Sequence, residues 1–165
     1  MRIEDAEEIA AILNPIILAR CYTAIDTPVS ADDERRFIQK FPSRGIFLVA
    51  VDTTSDRVVG LQDVSPFGDD FTHAFDHVGV IGTYVDLDRR RQGIARRLFA
   101  ATFDAARRKG YEKFFSYVRA DNEAGLHTYL SHGFRIVGRA ERHAKIDGKY
   151  IDEIVIEKVL APTID

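Results

Sequence analysis

The sequence predicts an α/β fold with one mixed sheet flanked by helices, and three observations lead to it. The chain has 165 residues, a length typical of one domain with a single core. Apolar residues recur at helical spacing in some segments and form short β-branched or aromatic runs in others. In order, these segments read as two helices, two antiparallel strands, then strand, helix, strand and helix, then a closing hairpin. We therefore expect residues 1–165 to form one domain.

The first third of the chain is predicted to hold two helices and a hairpin. Residues 3–19 show helical spacing, and Pro15 is expected to break or kink this helix because proline lacks an N–H. The segment 30–40 opens with a serine followed by acidic residues, which is typical of a capped helix start. The runs 46–51 and 57–64 predict two strands joined by the polar turn between them.

The rest of the chain alternates strands with helices and ends in a hairpin. Glycines at 79 and 82 lie inside a predicted strand, where glycine often marks a close approach of another group. Asp147-Gly148 fits a type I′ turn. The predicted elements are strands at 77–85 and 114–118, helices at 94–109 and 122–132, and a final hairpin of strands 135–146 and 149–159.

The most informative segment is the turn in which a predicted strand ends at Val85 and a helix begins after three arginines and Gly93. The first turn of a helix leaves N–H groups unpaired and carries the positive end of the helix dipole. Gly93 allows a ligand to approach the backbone, and Ala95 keeps the next position small. Together these features predict a site for an anion, most plausibly a pyrophosphate.

Three other interpretations of this turn are a solvated helix start, a triphosphate loop and a dinucleotide fold. The arginines would simply solvate a helix start if Gly93 and Ala95 were incidental. A triphosphate loop or a dinucleotide fold is disfavoured, because neither glycine signature is present. Helical side chains point in different directions, so we expect one or two arginines near phosphates and the others in solvent. The arginines in question are Arg89, Arg91, Arg96 and Arg97.

Two motifs carry a resemblance to a known family. Arg90-x-x-Gly93-x-Ala95 resembles the pyrophosphate-binding signature of the GNAT superfamily of N-acetyltransferases. The segment from Asn122 through Tyr129 to Gly133-Phe134 resembles the second signature of that family, with one helix and one strand between the two. Residues 146–153 resemble the terminal hairpin of bacterial phosphinothricin and amino-acid acetyltransferases. The resemblance implies a GNAT-like single domain whose mixed, mostly antiparallel sheet is splayed at the cofactor site.

The resemblance also implies an activity, the transfer of an acetyl group from acetyl-CoA to a primary amine. A small molecule such as an amino acid or an analogue is the expected acceptor; the alternatives are a protein N-terminus or lysine, and a non-catalytic acyl-CoA-binding sensor. Tyr129 would protonate the departing thiolate, although on its helix it also reads as a core residue. The backbone N–H of Val85 would bind the thioester oxygen. The residues expected to bind the cofactor are Tyr84, Val85, Arg90, Arg91, Gln92, Gly93, Ile94, Ala95, Arg96 and Asn122.

The sequence alone does not assign the general base that would deprotonate the amine. Many relatives place a glutamate on the strand before the first motif, but this chain has no carboxylate from His77 to Val85. His77 is the candidate, since the ordinary pKa of histidine suits a base near neutral pH. Asp152 and Glu153 on the last strand are alternatives. Relatives also begin with a strand that is absent or very short here, which would leave a sheet edge open or filled by a partner.

Composition narrows the function classes. The formal net charge of −3 argues against a general nucleic-acid binder. The single cysteine, Cys21, cannot form an intramolecular disulfide, and the N-terminus is too acidic for a signal peptide, so we expect a cytoplasmic protein. No apolar run is long enough to span a membrane. We expect no metal, a small-molecule amine as partner, and a possible homodimer.

Overall fold

A computed structural model describes residues 1–68 and 71–160, which fold around one six-stranded sheet. The helices are α1 (Ala6–Leu18), α2 (Ala31–Lys40), α3 (Ile94–Arg108) and α4 (Glu123–Ser131), and the strands are β1 (Ile46–Asp52), β2 (Arg57–Pro66), β3 (Val78–Val85), β4 (Lys113–Arg119), β5 (Arg135–Ile146) and β6 (Lys149–Val159). The strand order is β1-β2-β3-β4-β6-β5. Only β3 with β4 is parallel. The predicted mixed, mostly antiparallel sheet flanked by helices is confirmed.

The N-terminal segment departs from the sequence prediction at Pro15. Helix α1 continues through this proline to Leu18 instead of breaking. Proline cannot donate to the carbonyl of Ala11, but both residues are exposed, so water can reach that carbonyl. The described residues before α1 form a 3-10 turn and no strand, so β1 is one edge of the sheet.

Local turn chemistry sets several boundaries as predicted. The Ser30 hydroxyl accepts the N–H of Asp33 while the Asp33 carboxylate accepts the N–H of Ser30, which opens α2 with a reciprocal cap. Gly110, at φ 79°, follows the end of α3 in the left-handed region. Asp147 and Gly148, at φ 50° and 80°, form the tight turn between β5 and β6.

The two faces of the sheet are covered by different helices. Helices α3 and α4 cover one face, where an aromatic cluster of Phe99, Phe114, Tyr129 and Phe134 is almost fully buried. Helix α1 covers β1 and β2 on the other face with apolar side chains. The half of that face formed by β3, β4 and β6 carries polar residues instead. In this half the sheet opens between β3 and β4.

The parallel pair β3 and β4 is short. Their pairing covers only Val78–Val80 against Lys113–Phe115, after which β4 continues to pair with β6 alone. At the point of separation, the Ser116 hydroxyl donates a 2.7 Å hydrogen bond to the Ile81 carbonyl. This bond satisfies a carbonyl that the ladder no longer reaches. Beyond it the strands diverge and leave backbone groups of β3 facing a gap.

We predict that Gly79→Ala destabilises the fold. A Cβ at this position would lie 2.5 Å from Val64 Cγ1 and 3.3 Å from the Tyr111 ring, inside the packed core. Overpacking of this kind costs about 1–3 kcal/mol, measurable as a lower urea midpoint. Gly138→Ala is the matched control, because its nearest neighbour, Val155, is 4.0 Å away. Equal midpoints for the two variants would contradict the prediction.

Candidate active site

The connection from β3 to α3 presents unpaired backbone donors. Arg91 and Gly93 have positive φ angles of 61° and 78°, and α3 begins at Ile94. The Arg97 N–H donates to the Gly93 carbonyl, so the N–H groups of residues 94–96 have no acceptor within the helix. Among the described residues no side chain caps this end, and no acidic residue lies in the first turn. The turn therefore has the geometry and the charge of an anion site.

A first cleft of about 360 Å³ lies between this turn and α4. Most residues predicted to bind the cofactor line it, whereas Tyr84, Gln92 and Arg96 do not. Helix α4 also contributes residues to this cleft that the sequence motif did not indicate, because the motif singles out only Tyr129 and the capping residue Asn122 as site residues. The predicted residues in the cleft are Val85, Arg90, Arg91, Gly93, Ile94, Ala95 and Asn122, and the further ones include Arg89, His127, Thr128, Ser131 and His132.

The arginines of the turn point in different directions, as the sequence predicted. Arg89 lines the first cleft but also pairs with Asp52 at 3.2 Å. The Arg90 guanidinium lies 4.0 Å from the centre of the Tyr22 ring, an attractive cation–π contact. Arg97 lines a separate groove beside β1. Backbone donors, rather than a cluster of arginines, are thus the common feature of the turn.

The backbone of β3 supplies a further donor. The Asp86 N–H donates to the Val59 carbonyl of β2. Since N–H groups alternate in direction along a strand, those of Val85 and Thr83 point away from β2, toward the gap between β3 and β4. Val85 also lines the first cleft.

Tyr129 lies where two clefts meet. It lines both of them, is 8% exposed, and its hydroxyl donates to Thr83 Oγ1 at 3.1 Å. The Gln62 side chain donates to the same oxygen at 2.8 Å and so helps to fix its position. Burial raises the pKa of the Tyr129 phenol to about 12, which keeps it protonated near neutral pH. Its ring packs in the core cluster, as the core interpretation predicts, and the residue borders both clefts.

Asn122 connects the start of α4 to the loop between α1 and α2. Its side-chain oxygen accepts the Gly125 N–H at 3.0 Å, which confirms the predicted cap. Its side-chain nitrogen donates to the Tyr22 carbonyl at 3.0 Å. The same loop is bound by Arg119, which donates to the Thr23 carbonyl at 3.2 Å. These bonds hold the loop across the open end of the sheet.

The loop between α1 and α2 covers a second cleft, of about 510 Å³, on the face of the sheet opposite α3. Its floor comes from β2, β3, β4 and β6, including Asp63, Gly82, Tyr117 and Glu153. Tyr129, Thr83, Asn122 and Gly125 line both clefts. The two clefts therefore meet at the point where β3 and β4 diverge.

Asp63 is the functional candidate that sequence reasoning missed. It pairs with Gly82 across β2 and β3, and a Cβ on Gly82 would lie 2.7 Å from Asp63 Oδ1. The carboxylate thus occupies the space that a side chain on β3 would fill. The two glycines in β3 did signal close approaches, but the approaching group depends on the register of the neighbouring strand.

Burial controls the charge of Asp63. It raises the pKa of this carboxyl to about 6, and no cation among the described residues pairs with it. Burial also raises the pKa of Glu34, with nearby carboxylates adding to the shift, and the pKa of the Tyr84 phenol. A carboxylate with a pKa near 6 is ionised at neutral pH but still basic enough to accept a proton.

The other candidates for the base lie elsewhere. His77 is exposed at the start of β3, where its carbonyl accepts the N–H groups of Glu112 and Lys113, and it lines neither cleft. Asp152 accepts hydrogen bonds from Arg139. Glu153 lines the second cleft from β6, three strands away from Asp63 on β2. The structure brings Asp63, and not His77, beside Tyr129.

Comparison with known proteins identifies the family. The model of the acetyltransferase (GNAT) domain matches residues 1–155. The chain belongs to the GNAT acetyltransferase family. Its fold is similar to that of a GNAT superfamily phosphinothricin acetyltransferase from Sinorhizobium meliloti in complex with acetyl-CoA, at a TM-score of 0.88, 18% identity, and coverage of 99% of this chain and 88% of that chain.

Two curated relatives are similar over most of the chain. An L-amino acid N-acyltransferase of Escherichia coli is 26% identical over 150 residues, which is 90% of this chain and 84% of the relative. An L-methionine sulfoximine/L-methionine sulfone acetyltransferase of Pseudomonas aeruginosa is 23% identical over 164 residues, covering 98% and 92%. The sequence-based identification of a GNAT acetyltransferase is thereby confirmed.

The described part of this GNAT acetyltransferase shows neither a metal-binding group nor a membrane-spanning helix. Within residues 1–68 and 71–160, no group of three or more His, Cys, Asp or Glu side chains is placed to hold a metal ion. Over the same ranges, no helix combines the length and the apolar character needed to cross a bilayer.

Removing the Asp63 charge should stabilise this acetyltransferase. The folded-state pKa of about 6 exceeds the ordinary value of 3.8, so the native state holds the proton more tightly and loses stability as pH rises from about 4 to 6. Asp63→Asn should therefore gain roughly 2–3 kcal/mol relative to the parent chain over that range. Urea unfolding between pH 4 and 7.5 measures this difference. A difference that stays flat for Asp63→Asn over this pH range would contradict the assignment.

Proposed function

We propose that the chain transfers the acetyl group of acetyl-CoA to the primary amine of a small molecule. The observation that carries this proposal is the meeting of two clefts at Tyr129 and Thr83, one beside the anion-binding turn and the other beside a buried carboxylate. A cleft of about 510 Å³ is the size of a small-molecule site. The names of the curated relatives point to amino acids and their analogues as one class of acceptor.

The first cleft fits the cofactor chemically. The unpaired N–H groups at the start of α3 suit its pyrophosphate, and Arg91 and Arg89 add positive charge nearby. The exposed backbone edge of β3 gives the pantetheine amides partners of the kind that a neighbouring strand would provide. When bound, acetyl-CoA supplies the activated acetyl group.

Val85 and Tyr129 act on the thioester in this proposal. The Val85 N–H donates to the carbonyl oxygen, and a backbone donor of this type stabilises the transition state by about 3–4 kcal/mol. The new N–C bond forms as the C–S bond breaks. The Tyr129 hydroxyl then donates its proton to the departing sulfur, a role for which the raised pKa keeps it protonated.

Asp63 is the base in this proposal. An alkyl ammonium has a pKa near 10, so it must lose a proton before its nitrogen can attack. Asp63 lines the second cleft next to Gly82 and is ionised above pH 6, so it can accept that proton directly or through water. A chain without a carboxylate at this site could bind acyl-CoA without transferring its acyl group, and β3 carries no carboxylate. Asp63 on β2 supplies one to the second cleft, which favours an enzyme over a sensor.

The general test is acetyl transfer by the purified chain to a panel of small amines, amino acids and peptides, followed by release of the free coenzyme A thiol. Acetylation of small amines with little transfer to peptides supports the proposal. Preferential acetylation of peptide N-termini or lysines would favour the protein acetyltransferase alternative. Binding of acetyl-CoA with no transfer to any amine would favour the sensor.

We predict that Gly93→Ala weakens the binding of acetyl-CoA about tenfold or more. The left-handed conformation costs a non-glycine residue about 1–2 kcal/mol, and a methyl group there would crowd a phosphate bound to the adjacent N–H groups. Gly110→Ala, at the other end of α3, is the control, since its φ of 79° is close to the 78° of Gly93 and it has open space around it. Calorimetry should show weaker binding in the first variant only; equal losses would contradict a phosphate role for this turn.

We predict that Asp63→Asn lowers kcat by about 10²-fold or more, since a positioned base typically contributes that much. In the parent chain, kcat at saturating substrates should fall about tenfold per pH unit below pH 6, as Asp63 becomes protonated. Three other titratable groups interact electrostatically with Asp63: Glu34 on α2, Tyr84 on β3 and Tyr129 on α4. The variant should lose this acidic limb while its affinity for acetyl-CoA is kept. An unchanged pH profile in the variant would assign the base elsewhere.

A further inference from the structure

We propose that the acceptor is an amine that carries a second cationic group and no carboxylate, such as an alkyl diamine or polyamine, held between Asp63 and Glu153. This inference rests on the proposed function and deepens it. It follows from three properties of the second cleft: its two carboxylates, the engagement of its one arginine, and the separation of the carboxylates across the sheet.

Glu153 is buried in the second cleft without a strong partner. It is 7% exposed and lines the cleft from β6. It has no hydrogen-bond partner among the described residues: His143 Nε2 lies 3.8 Å from Glu153 Oε2, beyond hydrogen-bond reach, and Arg119, opposite on β4, interacts with it only electrostatically. A buried carboxylate is costly unless it is paired and hydrogen-bonded. An ammonium group brought into the cleft would supply that partner.

Arg119 is the only arginine or lysine among the described residues that line this cleft, and it is already engaged. Its Nε and Nη2 donate to the two oxygens of Asp121, at 2.9 and 2.6 Å. Its Nη1 donates to the Thr23 carbonyl. The guanidinium N–H groups that could bind the α-carboxylate of an amino acid therefore already donate to acceptors of the chain itself. A free amino acid would bring its carboxylate toward Asp63 and Glu153, which repel it.

The two carboxylates lie at opposite sides of the cleft. Strands β3 and β4, which diverge here, separate Asp63 on β2 from Glu153 on β6, so their backbones lie more than three strand spacings, or more than roughly 14 Å, apart. Tyr117 and Val80 form part of the floor between them, a surface that suits methylene groups. A flexible chain with an ammonium at each end fits this pattern. One amine would be activated at Asp63, and the distal ammonium would bind Glu153.

Three acceptors of matched length test the inference on the full chain with saturating acetyl-CoA. Pentylamine has one amine, 1,5-diaminopentane adds a second cation, and L-lysine adds an α-carboxylate to that diamine. We expect kcat/KM for 1,5-diaminopentane to exceed both others by about tenfold or more, the effect of one charge-assisted hydrogen bond. A diamine no better than pentylamine, or worse than lysine, would overturn the inference. Transfer to none of these acceptors or of the wider amine panel would instead overturn the proposed function.

A variant tests the role of Glu153 separately. Glu153→Gln keeps the shape of the side chain and removes its charge, so it should reduce the preference for 1,5-diaminopentane over pentylamine about tenfold, mainly through KM for the diamine. Glu141→Gln, at an exposed position of β5, should keep the preference of the parent chain. A preserved preference in Glu153→Gln would overturn the assignment. Should that variant fail to fold, the comparison of the three acceptors still decides the inference.

Discussion

The divergence of β3 from β4 is the constraint on which the rest of the site depends. A parallel pair that continued beyond Val80 and Phe115 would use the N–H groups of Thr83 and Val85 in its ladder and would close the sheet between the two clefts. The Ser116 hydroxyl takes over the carbonyl of Ile81 at the point of separation, which makes the opening tolerable for the backbone. The opening exposes donors on β3, admits Tyr129 to the gap, and connects the two faces of the sheet.

The loop between α1 and α2 joins the two halves of the site. The Tyr22 ring lies against Arg90 of the anion-binding turn, and its carbonyl accepts a hydrogen bond from Asn122 at the start of α4. The next residue, Thr23, is bound through its carbonyl by Arg119. The loop that covers the second cleft is thus attached to Arg90 and Asn122, which line the first cleft. The contact between Arg90 and Tyr22 therefore joins the turn before α3 to this loop.

Local chemistry explains what could be predicted from the sequence. Ser30, Asn122, Gly110 and the Asp147-Gly148 turn act on neighbours within a few residues, so their patterns set element boundaries without knowledge of the fold. The anion-binding turn is equally local, because strand, glycine and helix follow one another directly. The predicted break at Pro15 is wrong because solvent exposure, which decides the cost of a missing hydrogen bond, is a property of the folded chain. Asp63 was missed for a related reason: its position over Gly82 depends on the register of two strands whose paired residues lie far apart in sequence.

The acidic character of the second cleft connects stability to function. Asp63 and Glu153 line this cleft, and Glu34 lies near Asp63. All three are buried or largely buried, and among the described residues none of them has a basic partner within hydrogen-bond distance, although Arg119 lies opposite Glu153. Burial of an unpaired carboxylate opposes folding, and packing alone gives no reason to keep such groups at the junction of two clefts. A proton acceptor with a pKa near 6 does give a reason for Asp63, since full pairing with an arginine would lower its basicity. A cationic acceptor would supply the missing counter-charge only while it is bound, which allows the same carboxylates to attract the substrate and to remain available for proton transfer.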